Sequence, residues 1–343
     1  MRYLVTGGAG FIGSNFIRFL FQKYGSDAQV VNLDKLTYAG IRENLAEYEG
    51  KKNYRFQHGD IINPADVAEG YKGVDGSGVD VVVNFAAETH VDRSLMDAGS
   101  FIETDVHGVL VLLEEARKHA PTLKRFVQIS TDEVYGSIDV GSFKETDPLK
   151  PRNPYSASKS GGDRMAYAYG ESYGIPVIVT RASNNFGPWQ YPEKLIPLFV
   201  TNAIDDGPLP LYGDGKNVRD WLYVEDHCAA IDFVIDRGTS SETYNIGGGN
   251  ELENREISHK ILRLLGKPES LIRPVADRQG HDRRYSLDTG KLEKLGFRCD
   301  RSFDEALEKT VRWYQQNEPW WRAIKERSAE YKAYYEKQYG ARS

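Results

Sequence analysis

The stretch "YLVTGGAGFIGS", residues 3–14, constrains this chain more than any other part of it. A short apolar run enters three glycines, Gly7, Gly10 and Gly13, and an amphipathic segment, Ile12 to Lys23, follows. That order predicts a strand turning sharply into a helix. The first glycine permits the tight turn, the second lets backbone approach a ligand, and the third lets helix and strand pack closely. The unpaired N–H groups opening the helix then face an anion, and a pyrophosphate fits that place. A glycine triplet alone is weak, since an ordinary glycine turn looks the same. Here Asp34 also ends the next apolar run, "AQVVNLD". A carboxylate there accepts ribose hydroxyls and repels a 2′-phosphate, which favours NAD over NADP, although the adjacent Lys35 counts the other way.

The same alternation continues through "YRFQHGD", "DVVVNFAA", "RFVQIS" and "PVIVTRAS", with helical segments near 100–119 and 154–173. Near-continuous apolar strands separated by helices predict an α/β fold, a Rossmann-type doubly wound parallel sheet covered on both faces. After "NNFGP" the elements become shorter and more mixed, which predicts a smaller mixed α/β lobe. The expected division is a dinucleotide-binding domain over 1–185, with a contribution returning near 209–245, and a substrate lobe over 186–343.

Charge and composition narrow the function classes. The net charge of −6 opposes nonspecific nucleic-acid binding. No apolar run approaches the ~18 residues of a membrane span, and the N-terminus enters a strand with no leader pattern, so a cytoplasmic location is expected. Two distant cysteines, Cys228 and Cys299, and seven histidines without ligand spacing predict neither a disulfide framework nor a metal site.

Two constellations carry chemistry. In "NPYSASKSG", Tyr155 and Lys159 stand at i and i+4 on a helix opened by Pro154. A lysine one turn away favours tyrosinate, making the phenol a usable base for a sugar hydroxyl. In "STDEVYG", Thr131 precedes two adjacent carboxylates, Asp132 and Glu133, where a buried strand should end. The bland reading is a polar turn; the sharper one is a pair of proton-transfer groups at a ligand site, with pKa values pushed apart by their proximity. Asp60, ending the third strand, is read either as an adenine contact or as a helix N-cap.

"GGAGFIGS", "AAETHVDRS", "STDEVYGS", "NPYSASK", "SNNFGP", "YPEKLIPLF", "LPLYGDG", "VRDWLYVEDH" and "ADRQGHDRRYSLD" together resemble the extended short-chain dehydrogenase/reductase family, and within it the nucleotide-sugar 4,6-dehydratases. The resemblance implies bound NAD and a nucleotide-sugar substrate, dTDP-glucose. It implies C4 oxidation with Tyr155 and Lys159, proton removal from C5 by Glu133, and protonation of the leaving C6 hydroxyl by Asp132. Thr131 joins the relay. Cofactor contacts are implied for Gly7, Gly10, Phe11, Ile12, Gly13, Asp34, Lys35, Leu36, Thr37, Asp60, Ile61, Ala86, Ala87, Glu88, Thr104 and Asn185, besides Tyr155 and Lys159. Substrate contacts are implied for Thr89, Thr131, Asn184, Lys194, Leu195, Pro210, Tyr212, Arg219, Asn245, Arg278 and His281. A homodimer is implied, built from the Ser100–His119 and Tyr155 helices.

The chain departs from the family pattern at Thr89, Asp105, Phe186, Trp189 and Gln279. Asp105 adds a charge near the cofactor, and Trp189 is a bulky residue beside the nucleotide segment. Rival readings are a UDP-glucose or other nucleotide-hexose dehydratase, a 4-epimerase or decarboxylase on the same scaffold, and a non-catalytic NAD sensor. An epimerase needs Tyr155 and Lys159 but no C5 base with a C6 acid, so the Asp132–Glu133 pair separates the two.

Overall fold

The computed structural model describes residues 1–277 and 282–336. Six strands come first: β1 (Arg2–Thr6), β2 (Gln29–Asp34), β3 (Tyr54–His58), β4 (Val81–Asn84), β5 (Arg125–Thr131) and β6 (Val177–Ala182). Six follow: β7 (Asn184–Phe186), β8 (Leu209–Tyr212), β9 (Val218–Tyr223), β10 (Glu242–Ile246), β11 (Glu251–Glu253) and β12 (Ile272–Val275). Seven form one parallel sheet in the order β10-β6-β5-β4-β1-β2-β3. Each of the six strands expected in the first half is present, within a few residues of its expected ends.

Alternation along the strands builds two cores. Tyr3, Val5 and Val30 pack on one face with the helices Phe11–Tyr24 and Val224–Arg237. Leu4, Val31 and Leu33 pack on the other with Pro64–Tyr71, Val109–His119 and Pro154–Tyr173. Both faces are therefore dry, which is why these strands read as continuous apolar runs. A third core gathers Leu195–Ile204, Asn254–Leu265 and Phe303–Gln316 around β8 and β9. There β9 pairs with β7 and β11, and β8 with β12. No helix among the described residues is long and apolar enough to cross a membrane.

One expected element differs. The helix anticipated over Ser100–His119 is interrupted: Ala98–Ile102 and Val109–His119 are α-helical, and a π-helical turn, Glu103–Gly108, joins them. The wide turn is held by tertiary contact. A Cβ on Gly162 of the neighbouring helix would stand 2.3 Å from the Asp105 carbonyl oxygen. The Asp105 carboxylate, buried, accepts from Glu88 N at 2.9 Å and Ser158 Oγ at 2.6 Å.

Candidate active site

From β1 the chain runs to β2 and β3 on one side, then returns to β4 on the other. A crevice opens at the carboxyl ends of β1 and β4, where such reversals place ligands. One cavity occupies it. Of the residues singled out from sequence, Gly7, Gly10, Phe11, Ile12, Gly13, Asp34, Lys35, Thr37, Asp60, Ile61, Ala86, Ala87, Glu88, Thr89, Thr104, Thr131, Asp132, Glu133, Tyr155, Lys159, Asn184, Asn185 and Lys194 all line it.

The glycine turn is tight for the reasons its spacing implied. Gly7 has φ +67°, and a Cβ there would stand 2.6 Å from Ala86 N. A Cβ on Gly13 would stand 2.4 Å from Gly7 O. One on Gly10 would meet only Gly7 O, at 3.3 Å, so that stretch of backbone is open to a ligand. Asp34 accepts from Ala9 N through Oδ2 and from Leu36 N through Oδ1, both at 2.8 Å. Each oxygen accepts one bond and keeps a further lone pair for a ribose hydroxyl. Lys35 is paired with Asp60 at 2.6 Å, so its charge is committed to a neighbour. Asn63, not Asp60, caps the Pro64–Tyr71 helix, accepting from Ala65 N at 3.0 Å.

At the end of β5 the chain tightens into a 3-10 turn, Asp132–Tyr135, with Thr131 as its N-cap. Thr131 Oγ1 accepts from Glu133 N at 3.3 Å and donates to Asp132 Oδ1 at 3.1 Å, and it lines the cavity together with Tyr155. Asp132 is 2% exposed, and its Oδ2 has no partner. Burial, then the charge of Glu133, pushes the Asp132 carboxyl well above the usual range, which favours its protonated, proton-donating form. The Tyr285 hydroxyl, which donates to Asp282 Oδ2 at 2.6 Å, reaches Glu133 Oε2 at 3.5 Å.

Pro154 at the helix start, with an Asn153–Ser156 capping box, fixes the register of Tyr155 and Lys159. Lys159 Nζ donates to Ile129 O at 2.9 Å, and burial lowers its pKa while Asp105 and Asp163 oppose that. Tyr155 is pushed well above 10 by burial, then by the charges of Glu133 and Asp105.

Several lining residues were not singled out from sequence: Tyr38, Ser130, Gln190, Tyr191, Glu193 and His227 among them. Asn185 Nδ2 donates to Ser183 O at 3.0 Å, so its Oδ1 accepts from His227 Nδ1 at 2.9 Å. That tautomer leaves His227 Nε2 as a buried acceptor without a partner, and burial holds the imidazole neutral, its pKa pushed down to about 3. Ser130 Oγ, Asn184 Oδ1 and Gln190 Oε1 are likewise buried and unpartnered. Polar atoms left unsatisfied along an open glycine cradle fit a polar dinucleotide and its sugar partner.

Other expected contacts lie elsewhere. Leu36, Leu195, Pro210, Tyr212, Arg219 and Asn245 are outside the lining. Asn245 is fully buried, accepts from Tyr135 OH at 2.9 Å and donates to Phe143 O at 2.9 Å, which accounts for it structurally. Arg219 is 5% exposed, donates to Val218 O and Asp282 O, and stacks 4.3 Å over the Tyr285 ring. Trp189, beside the nucleotide segment, packs against Arg18, Trp313 and Trp320. Arg278, Gln279 and His281 lie outside the described residues.

The sequence profile of the family described as GDP-mannose 4,6 dehydratase matches residues 4–310. The chain is 50% identical over 332 residues to a dTDP-glucose 4,6-dehydratase of Streptomyces niveus, covering 95% of this chain and 96% of that one. It is 51% identical over 314 residues to the low-salt glycan biosynthesis protein Agl12 of Haloferax volcanii, covering 92% and 98%. The crystal structure of DesIV, a dTDP-glucose 4,6-dehydratase from Streptomyces venezuelae with NAD and TYD bound, superposes with a TM-score of 0.89 at 52% identity, covering 94% and 100%.

Proposed function

The chain belongs to the GDP-mannose 4,6 dehydratase family, and we propose that it converts dTDP-glucose to the 4-keto-6-deoxy sugar nucleotide, with NAD as its resident cofactor. The observation that carries the reading is the Asp132–Glu133 pair lining the same cavity as Tyr155 and Lys159. A 4-epimerase has no use for that pair.

NAD, held by the glycine turn and Asp34, would supply hydride acceptance at C4 and hydride donation at C6. Tyr155 takes the C4 hydroxyl proton, with Thr131 and Lys159 holding the phenol's surroundings. Oxidation at C4 acidifies the C5 proton, which Glu133 removes; after exchange with solvent the same carboxyl returns a proton to C5 as C6 is reduced. Asp132, kept protonated by burial, gives its proton to the departing C6 hydroxyl. The proton that Tyr155 takes from C4 must restore the Asp132 acid, and the Thr131 hydroxyl, bonded to Asp132 Oδ1 and lining the cavity with Tyr155, is the group placed to pass it on. Asp34 holds the adenosine ribose, and Lys35, paired with Asp60, leaves NAD preferred over NADP. Asn184 and Lys194, which line the same cavity, serve the sugar nucleotide.

The proposed division of labour places cofactor binding on residues 1–185 with a contribution returning near 209–245, and sugar-nucleotide binding on the lobe over 186–343. The proposed assembly is a homodimer in the cytoplasm. Exposed Ile102, Tyr167 and Tyr173 on the Ala98–Ile102 and Pro154–Tyr173 helices, with Leu95 and Met96 just before them, support a helical interface.

The test is a product assay with dTDP-, UDP-, CDP- and GDP-glucose. The reading expects a product lighter by one water, formed fastest from dTDP-glucose. A C4 epimer in place of the dehydrated product, or preference for another nucleotide, contradicts it.

A further inference from the structure

Three segments that follow strands of two different sheets meet at one buried carboxylate. Tyr38 follows β2, Arg93 follows β4, and Glu193 follows β7. The Tyr38 hydroxyl donates to Glu193 Oε1 at 2.8 Å, and Arg93 Nη2 donates to Glu193 Oε2 at 3.3 Å. The Arg93 guanidinium also lies over the Tyr38 ring, 3.6 Å from its centroid. Beside this junction Lys194 donates to the Thr89 carbonyl at 2.6 Å, a second link between the segments after β4 and β7. Glu193 is 4% exposed, and Tyr38, Glu193 and Lys194 line the same cavity as the glycine turn.

The carboxyl-terminal helices brace the junction. Tyr191 meets both Tyr38 and Tyr331 edge-on, with centroids 5.4 and 6.2 Å apart, and Tyr331 OH donates to Pro192 O at 3.3 Å. Trp189 adopts φ +68°, a conformation that a bulky residue keeps only when its surroundings impose it. Arg18, Trp313 and Trp320 surround it. Trp320 Nε1 in turn donates to Asn44 Oδ1 at 2.9 Å, and Asn44 Nδ2 donates to Ala9 O in the glycine turn at 3.0 Å. The helices Phe303–Gln316, Glu318–Arg327 and Ala329–Tyr335 thus tie the 188–194 segment to the opposite bank of the crevice.

We propose that Tyr38, Arg93 and Glu193 form a clasp that retains the dinucleotide between turnovers, so that release and uptake both require this junction to open. Opening separates a buried carboxylate from two donors at once, a cost that closed packing avoids. Retention suits a reaction whose cofactor ends each cycle in the oxidation state in which it began. The clasp rests on the cofactor reading and not on the identity of the sugar, and it is tested without substrate.

The holoenzyme is diluted into ethanol with excess alcohol dehydrogenase, which converts each released NAD to NADH and reports the release rate. Uptake is followed separately, from the protein fluorescence change when NAD is added to the stripped protein. Tyr38→Phe removes one donor and keeps the ring under Arg93; Arg93→Met removes the other. A hydrogen bond to a charged group is worth roughly tenfold or more in such an opening equilibrium. Each variant is therefore expected to release NAD about tenfold faster and to take it up at least as fast as the wild type. A merely structural lesion speeds release but slows uptake. Unchanged release in both variants, or faster release accompanied by slower uptake, overturns the clasp.

Discussion

Thr131 and Asp132 are neighbours in sequence and partners in space: the threonine hydroxyl donates to Asp132 Oδ1 at 3.1 Å, while Oδ2 remains buried and unpartnered. A carboxyl in that position costs more ionised than neutral, and Glu133 beside it raises the cost. Asp132→Asn keeps the shape and removes the transferable proton. Turnover should fall by roughly 10²–10⁴-fold, the usual worth of a positioned acid. Oxidation at C4 should survive, so reduced-nicotinamide absorbance should build up on adding dTDP-glucose. Turnover near the wild-type rate would remove Asp132 from the acid role.

The glycine turn makes a steric prediction. In Gly13→Ala the new Cβ would lie 2.4 Å from a backbone oxygen, Gly7 O, and the turn must shift. The variant should purify with little NAD, its affinity reduced about tenfold or more because the pyrophosphate cradle is displaced. The cofactor content of the denatured protein measures this directly; full occupancy contradicts the placement of the cradle.

Asp105 supplies a pH test. Burial pushes its carboxyl up to about 6, with Lys159 and Ser158 only partly offsetting that. A folded-state pKa above the unfolded value means the ionised carboxylate costs stability, and the cost grows as pH rises from about 4 through about 6. In Asp105→Asn the oxygen still accepts from Glu88 N, and Ser158 Oγ can turn its proton to Tyr155 O at 2.8 Å. Denaturant unfolding should show the variant more stable at neutral pH, by up to roughly 3 kcal/mol, with the gain fading toward pH of about 4. A gain that grows toward acid has the wrong sign.

Arg181 and Asp163 form a buried pair, 1% and 0% exposed, with contacts at 2.8 and 3.0 Å. Burial raises the Asp163 carboxyl, but the hydrogen bond and charge of Arg181, with Arg164, leave it below the ordinary value. Arg181→Met leaves that carboxylate with the half-exposed Arg164 alone and should cost about 3 kcal/mol in urea unfolding at neutral pH. A loss below about 1 kcal/mol, the range of an exposed pair, contradicts a structural role.

Much of the scaffold was legible because its signals are local. The Val-rich runs, the glycine spacing, Asp34 and the Pro154 start each act over a few residues, and the structure has those elements in place. The Glu103–Gly108 π-turn was not legible, since "ETDVHG" has ordinary helical character and the wider turn is held by tertiary contacts, among them those with Gly162, Ser158 and Glu88. Tyr38, Arg93 and Glu193 sit far apart in sequence, and no short-range spacing announces that they meet. His227 was hidden in "YVEDHC", where a histidine in the first turn of a helix looks unremarkable until Asn185 fixes its tautomer. Trp189 and Asn245 were legible as unusual or polar residues, but not as packing elements, because their partners come from distant helices and loops.

The central claim is that Glu133 removes the C5 proton of a 4-keto sugar, and the most direct measurement is turnover of dTDP-glucose in heavy water. Wild-type protein should give a product lighter by one water and carrying solvent deuterium at C5, while Glu133→Gln should halt after C4 oxidation with reduced nicotinamide accumulating. Product with no deuterium at C5, or normal turnover by Glu133→Gln, would contradict it.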